Sequence, residues 1–180
     1  MKTQLLRISF FLSLSLLSAC SHLQTPQDRV VARDVALTTG VLSAWGVSQW
    51  NWFDHSPEFK QEGWFGADTH AGGADKTGHL YFSYILSEGL LWDFKRNNIP
   101  EPENKAALTA LGAMTLVEIG DATSSKHGFS GEDWVSDAIG VGVSWWLSKN
   151  PQWGEKIDLR MEYWPSPGFD GEYDAAADYS

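Results

Sequence analysis

Residues 74–96 read ADKTGHLYFSYILSEGLLWDFKR, a 23-residue run without proline. Asp75, His79, Ser83 and Ser87 recur every four residues and therefore share one helix face. Around them the surface is Leu80, Tyr81, Phe82, Tyr84, Ile85, Leu86, Leu90 and Leu91. A helix that is apolar nearly all round apart from one polar stripe lies against other helices or lipid, with its stripe turned to water or to an internal polar site. Pro100 stops any continuation. Working outward, a helix is expected from about Arg29 to Trp52, whose part from Val35 to Phe53 carries no charge between Asp34 and Asp54. Nineteen uncharged residues approach the ~20 of a membrane span. Thr38, Thr39, Ser43, Ser48, Gln49 and Asn51 make this segment polar for a span, so it is read as a buried or interfacial helix. Residues 54–73, with Pro57 and several glycines, read as a loop. A third helix starts at Glu101-Pro102-Glu103 and ends near Gly120. A fourth follows Ser130, where Ser130-Gly-Glu-Asp133 has the form of a capping box, and runs to about Ser148. The fold expected is all-α, a compact bundle of four main helices. A short strand is expected near residues 156–163, because Ile157, Leu159, Met161 and Tyr163 alternate with Asp158, Arg160 and Glu162.

The N-terminus carries a different signal. Lys2 and Arg7 precede an apolar run from Ile8 to Leu17, and Ser18-Ala19 lead into Cys20. This is the pattern of a secretory signal peptide over residues 1–19. A cysteine directly after the small residues resembles the lipobox of bacterial lipoproteins. Cys20 would become the acylated first residue of the mature chain, and two or more acyl chains give stable anchoring. An uncleaved helical anchor is the alternative, although the apolar core is about half the ~20 residues that a span needs. Ser21 after the cysteine, in place of Asp, resembles the outer-membrane sorting pattern of Gram-negative bacteria, with the domain facing the periplasm. Residues 20–28 read as a polar tether, 29–150 as the helical domain, and 151–180 as an extension ending in a small, acidic tail.

Cleavage leaves 161 of the 180 residues, enough for one domain with its own core. The 13 basic residues less Lys2 and Arg7, against 23 acidic ones, give a formal charge of −12. That argues against nucleic acid as a partner and against adhesion to anionic head groups through basic residues. Cys20 is the only cysteine, so no intrachain disulfide forms. Ten tryptophans are a heavy load. Trp50, Trp52, Trp92, Trp145, Trp146 and Trp153 fall near helix ends, which suits either a membrane–water interface or an aromatic core.

Three helices carry ionisable residues among apolar neighbours: Asp75, Lys76 and His79 on the second, Glu118 and Asp121 at the end of the third, and Ser130, Asp133 and Asp137 at the start of the fourth. Imidazole and carboxylates from facing helices could hold a divalent metal, with His79, Glu118, Asp121 and Asp133 as candidate ligands. The metal would activate water, with a spare carboxylate as base. Without metal, the same four are candidates for general acid–base catalysis. The structural alternative is a satisfied hydrogen-bond and ion-pair network, with Asp75 and Asp133 near helix starts where acids complement the dipole and Lys76 as their counter-ion. His55, His70 and His127 lie in loops and read as surface residues. Asp170, Glu172 and Asp174 in the tail lack the spacing of a calcium loop.

Asp75-Lys76-Thr-Gly-His79, Glu118-Ile-Gly-Asp121, Gly128-Phe129-Ser130-Gly-Glu-Asp133 and Asp137 with Gly140, in that order, resemble the YfiM-type family of small bacterial lipoproteins of unknown function. More distantly they are similar to VanZ-like membrane proteins. The resemblance covers about residues 74–145 and implies a helical domain in which these polar residues converge. It brings no reaction. The association of VanZ-like proteins with the cell envelope points to lipid or cell-wall chemistry, although Asp137 stands where those relatives often have Asn. Two functions compete: an envelope lipoprotein whose cluster organises the helices and binds a ligand or protein partner, and a metal-dependent hydrolase acting on an envelope lipid or cell-wall precursor.

Overall fold

The computed structural model describes residues 25–65 and 73–160. The signal segment, Cys20, His70 and the acidic tail lie outside the described residues. Four long helices dominate: α1 Pro26–Gln49, α2 Ala74–Arg96, α3 Pro102–Asp121 and α4 Gly131–Lys149, with a final turn α5 Pro151–Gly154. Two short strands, β1 Phe59–Lys60 and β2 Phe129–Ser130, pair in parallel, with Phe59 opposite Phe129. The all-α bundle is as expected.

Three boundaries differ from expectation. Helix α1 begins at Pro26, inside the segment read as tether. Thr25 caps it: its Oγ1 accepts the Asp28 N–H at 3.1 Å, while Asp28 Oδ2 accepts the Thr25 N–H at 3.1 Å. With Pro26 in the first turn, Thr25 to Asp28 form a complete capping box, which outweighs their polar composition. The strand expected at 156–163 does not form over residues 157–160, which are irregular. Alternation supplies two faces but no neighbouring edge to pair with; instead Asp158 accepts the Tyr84 hydroxyl at 3.0 Å. Residues 161–163 lie outside the described residues. Finally, the 54–73 loop contains β1. Glu58 donates its N–H to Ala122 O and accepts that of Phe129, so the loop is strapped across the end of α3 and the start of α4.

The core has two parts. Leu90, Leu91, Phe94, Ile99, Ala106, Ala110 and Val141 join α2, α3 and α4. Leu42, Trp52, Ala113 and Val117 join α1 to α3. Helices α2 and α4 approach closely along small residues. Ser144 Oγ donates toward Ser87 Oγ at 2.9 Å and lies 2.8 Å from Glu88 Oε1. A Cβ at Gly140 would collide with the Leu80 carbonyl oxygen and Ser83 Oγ. The former is backbone and cannot swing away. Gly140→Ala is therefore expected to cost about 1–3 kcal/mol or more, read as a lowered urea midpoint; an unchanged midpoint would mean that the helices separate freely here.

The tryptophans divide. Trp52 belongs to the core, whereas Trp92, Trp145, Trp146 and Trp153 are exposed. The long uncharged segment of α1 is not a buried helix either: only Asp34, Leu42 and Gly46 of α1 are buried.

Candidate functional site

The α2 and α4 N-termini and the α3 C-terminus meet at one end of the bundle. There α2 contributes Asp75, Lys76 and His79, α3 contributes Glu118, and α4 contributes Asp133 and Asp137. Lys76, Glu118, Asp133 and Asp137 are buried.

Lys76 forms the first centre. Its Nζ donates to Glu62 Oε2 at 2.6 Å and to Asp75 Oδ2 at 3.3 Å. It also stands 3.0 Å from Asp133 Oδ1, an ion pair rather than an aligned hydrogen bond. Burial alone would lower the Lys76 pKa, but the hydrogen bond to Glu62 and the Asp133 charge outweigh it and hold the ammonium above the ordinary lysine range. Asp133 also donates its backbone N–H to the Ser130 hydroxyl, the cap of α4. Of the expected capping box this arm is present, while the Asp133 carboxylate faces Lys76.

His79 forms the second centre. Its Nδ1 lies 3.2 and 3.3 Å from the two Asp137 oxygens and 3.7 Å from Glu118 Oε1, and its Nε2 lies 3.9 Å from Asp75 Oδ1. Burial would lower the His79 pKa; the Asp137 hydrogen bond and charge reverse that and push it up to about 9. Burial pushes Glu118 up to about 8, against the opposing effects of the His79 charge and the Ser130 N–H that Glu118 Oε2 accepts at 3.1 Å. Burial also raises Asp137, offset in part by His79. Near neutral pH these shifts favour the protonated forms of His79, which faces Asp137, and of Glu118.

The sequence candidates thus divide. Asp75, Lys76, His79, Glu118, Ser130, Asp133 and Asp137 come together. Asp121 sits to one side, with its Oδ1 accepting the Trp52 indole N–H at 2.6 Å; burial raises its pKa and that bond lowers it. His55 is exposed and His127 half-buried. Glu62 was not anticipated, since it stands in an aperiodic loop, and nothing in its neighbours marks it as a partner of Lys76.

Two sets of side chains bring their ligand atoms within 4.8 Å of one another: Asp75, His79 and Asp133, and His79, Glu118 and Asp137. Both use His79. Of the four metal candidates read from sequence, Glu118 and Asp133 fall in different sets and Asp121 in neither.

The direction of these shifts sets a pH dependence. A folded state that holds protons more tightly than the unfolded chain loses stability as pH rises. Glu118 contributes a loss between its ordinary 4.5 and about 8, and His79 between 6.5 and about 9. Glu103 and Asp54 are shifted the other way, and their contribution is lost below the ordinary carboxyl range. The melting temperature is expected to be highest near pH 5–6 and to fall steadily to pH 9; a flat or rising profile from 6 to 9 would contradict this charge assignment.

Fold and site together define a compact, mostly helical domain with an ion-paired polar interior. Over residues 61–149 the chain matches a family described as predicted periplasmic lipoprotein (DUF2279). The matched segment runs from just before Glu62 to the end of α4 and so holds the whole cluster. The match supports a bacterial envelope lipoprotein of unknown function. No curated protein and no solved structure matches the chain.

Proposed function

We propose that this protein is a lipoprotein of the YfiM type, acylated on Cys20 and anchored to the outer membrane facing the periplasm. In this reading its His79- and Lys76-centred cluster locks α2, α3 and α4 into one rigid body that presents its outer surfaces to a ligand or partner. The observation that carries the structural role is pairing: Lys76, His79, Asp75, Asp133 and Asp137 each face an opposite charge within the cluster, Asp133 Oδ1 through its ion pair alone, and Glu118 accepts a backbone donor. Asp133 and Asp75 pair with Lys76, Asp137 pairs with His79, and Glu118 accepts from Ser130. Buried polar groups satisfied in this way fix helix register. A second reading, a divalent-metal hydrolase acting on an envelope lipid or cell-wall precursor, is favoured by the two ligand sets that share His79.

Glu118→Gln separates them. Glutamine copies the neutral carboxyl and keeps the acceptor for Ser130, so a structural Glu118 tolerates it to within about 1 kcal/mol at pH 7. The variant is also expected to lose part of the alkaline decline in stability. A Glu118→Gln protein that folds normally but no longer holds a metal carried by the parent would favour the hydrolase.

A further inference from the structure

The outer face of α1 has no cover among the described residues. Leu37, Val41 and Trp45, spaced by four, form one stripe on that face and are 59 %, 65 % and 55 % exposed. The opposite side, at Leu42 and Gly46, packs on α3 and Trp52. From Val35 to Phe53 there is no charged residue. Helix α3 carries an apolar surface of its own: Leu108, Leu111, Gly112, Thr115, Leu116 and Ile119 line a shallow groove of about 460 Å³ without a charged group. An uncharged face of this extent calls for a partner.

Its position selects the partner. Four residues separate Cys20 from Thr25, the cap of α1, which makes five steps along the chain. At no more than ~3.6 Å per residue, the start of α1 lies within about 18 Å of an acylated Cys20. Helix α1, of 24 residues, is about 36 Å long. By length and composition alone it is the one described helix apolar enough to cross a membrane, yet one of its sides is fixed to α3. We infer that α1 lies along the lipid bilayer surface with Leu37, Val41 and Trp45 inserted among the acyl chains. The uncharged face supplies the apolar area and Trp45 the amphipathic ring suited to that depth. The nearness of the bilayer rests on the lipid-anchor reading proposed above, whereas the insertion of α1 is a separate claim.

The test uses the full protein, matured and reconstituted in phosphatidylethanolamine–phosphatidylglycerol vesicles. An acylated Cys20 has no free thiol, so Leu37→Cys, Val41→Cys, Trp45→Cys and a control in the exposed 125–126 loop, Lys126→Cys, each carry a single labelling site for an environment-sensitive fluorophore. All four positions are exposed, so folding should persist and is checked by circular dichroism. The expected result is quenching by lipids doxyl-labelled near the head group that is at least 3-fold stronger at 37, 41 and 45 than at 126, and of similar depth at the three. Equal, weak quenching at all four positions overturns the proposal and leaves the face to a protein partner. Quenching whose depth changes progressively from 37 to 45 overturns it in favour of a span. The intact mass reports acylation independently. Should the mass show an unmodified Cys20, the four variants are labelled in a Cys20→Ser background; quenched α1 probes there refute the anchor and support this face, whereas an acylated Cys20 with unquenched probes refutes this face alone.

Discussion

Lys76→Met is expected to destabilise the fold by about 3–5 kcal/mol, the cost of removing one partner of a buried ion pair. Methionine fills much of the volume of the lysine stem, so the loss is mainly electrostatic. Glu62 and Asp75 retain access to water, with side chains 21 % and 28 % exposed, and can rehydrate. Asp133 cannot, because its side chain is 6 % exposed; Lys76 is its ion-pair partner at 3.0 Å, and His79, within 4.8 Å, offsets only part of its charge. Adding Asp133→Asn to Lys76→Met removes the stranded charge and is expected to restore more than half of the loss. Urea denaturation of the parent, both single variants and the double variant gives the coupling directly. A Lys76→Met cost below about 1 kcal/mol would mean that water reaches Asp133, and the ion-paired interior would then be misassigned.

Trp52→Ala should cost about as much, about 3–5 kcal/mol, by the cavity left when a buried aromatic is removed. The indole is wedged between α1 and α3, where a Cβ on either Gly46 or Gly120 would overlap its ring. It is also the largest side chain in the cluster that fastens α1 to the bundle, beside Leu42, Ala113 and Val117. The loss should therefore appear first as freed α1, read as hydrogen exchange rising over residues 35–49 before it rises in α2 and α4. Trp52→Phe separates packing from polarity: it keeps most of the ring but leaves Asp121 without its indole donor. Its cost should be smaller, about 1–3 kcal/mol. Uniform exchange across all helices in Trp52→Ala would show that α1 is not fastened at this point.

The helical framework was legible in the sequence because its signals are local and periodic. The four-residue recurrence of Asp75, His79, Ser83 and Ser87 predicts a polar seam, and in the structure Ser83 and Ser87 face Gly140 and Ser144 of α4. Ser130 was legible as a cap because capping depends on a few adjacent residues. The box at Thr25 to Asp28 carried equal information, but proline and polar composition suggested tether. What the sequence withheld depends on distant pairing. A two-residue strand such as Phe59–Lys60 has no period to detect, yet its pairing with β2 straps the 54–65 loop across the bundle end, where Glu62 meets Lys76. In the same way, nothing local to Asp121 assigns it to Trp52, 69 residues away, instead of to His79. The alternation after Ile157 shows the converse, a local pattern with no edge to join.

In the proposed function the His79 and Lys76 cluster is complete as an ion-paired lock. The most direct measurement is the metal content of the full mature protein, purified without chelator or affinity metal, together with its melting temperature with and without EDTA. The expected result is no stoichiometric divalent metal and a melting temperature indifferent to EDTA and to added zinc or manganese. One equivalent of a divalent metal, bound by the parent, absent from Glu118→Ala and removed by EDTA with a fall in melting temperature, would contradict it.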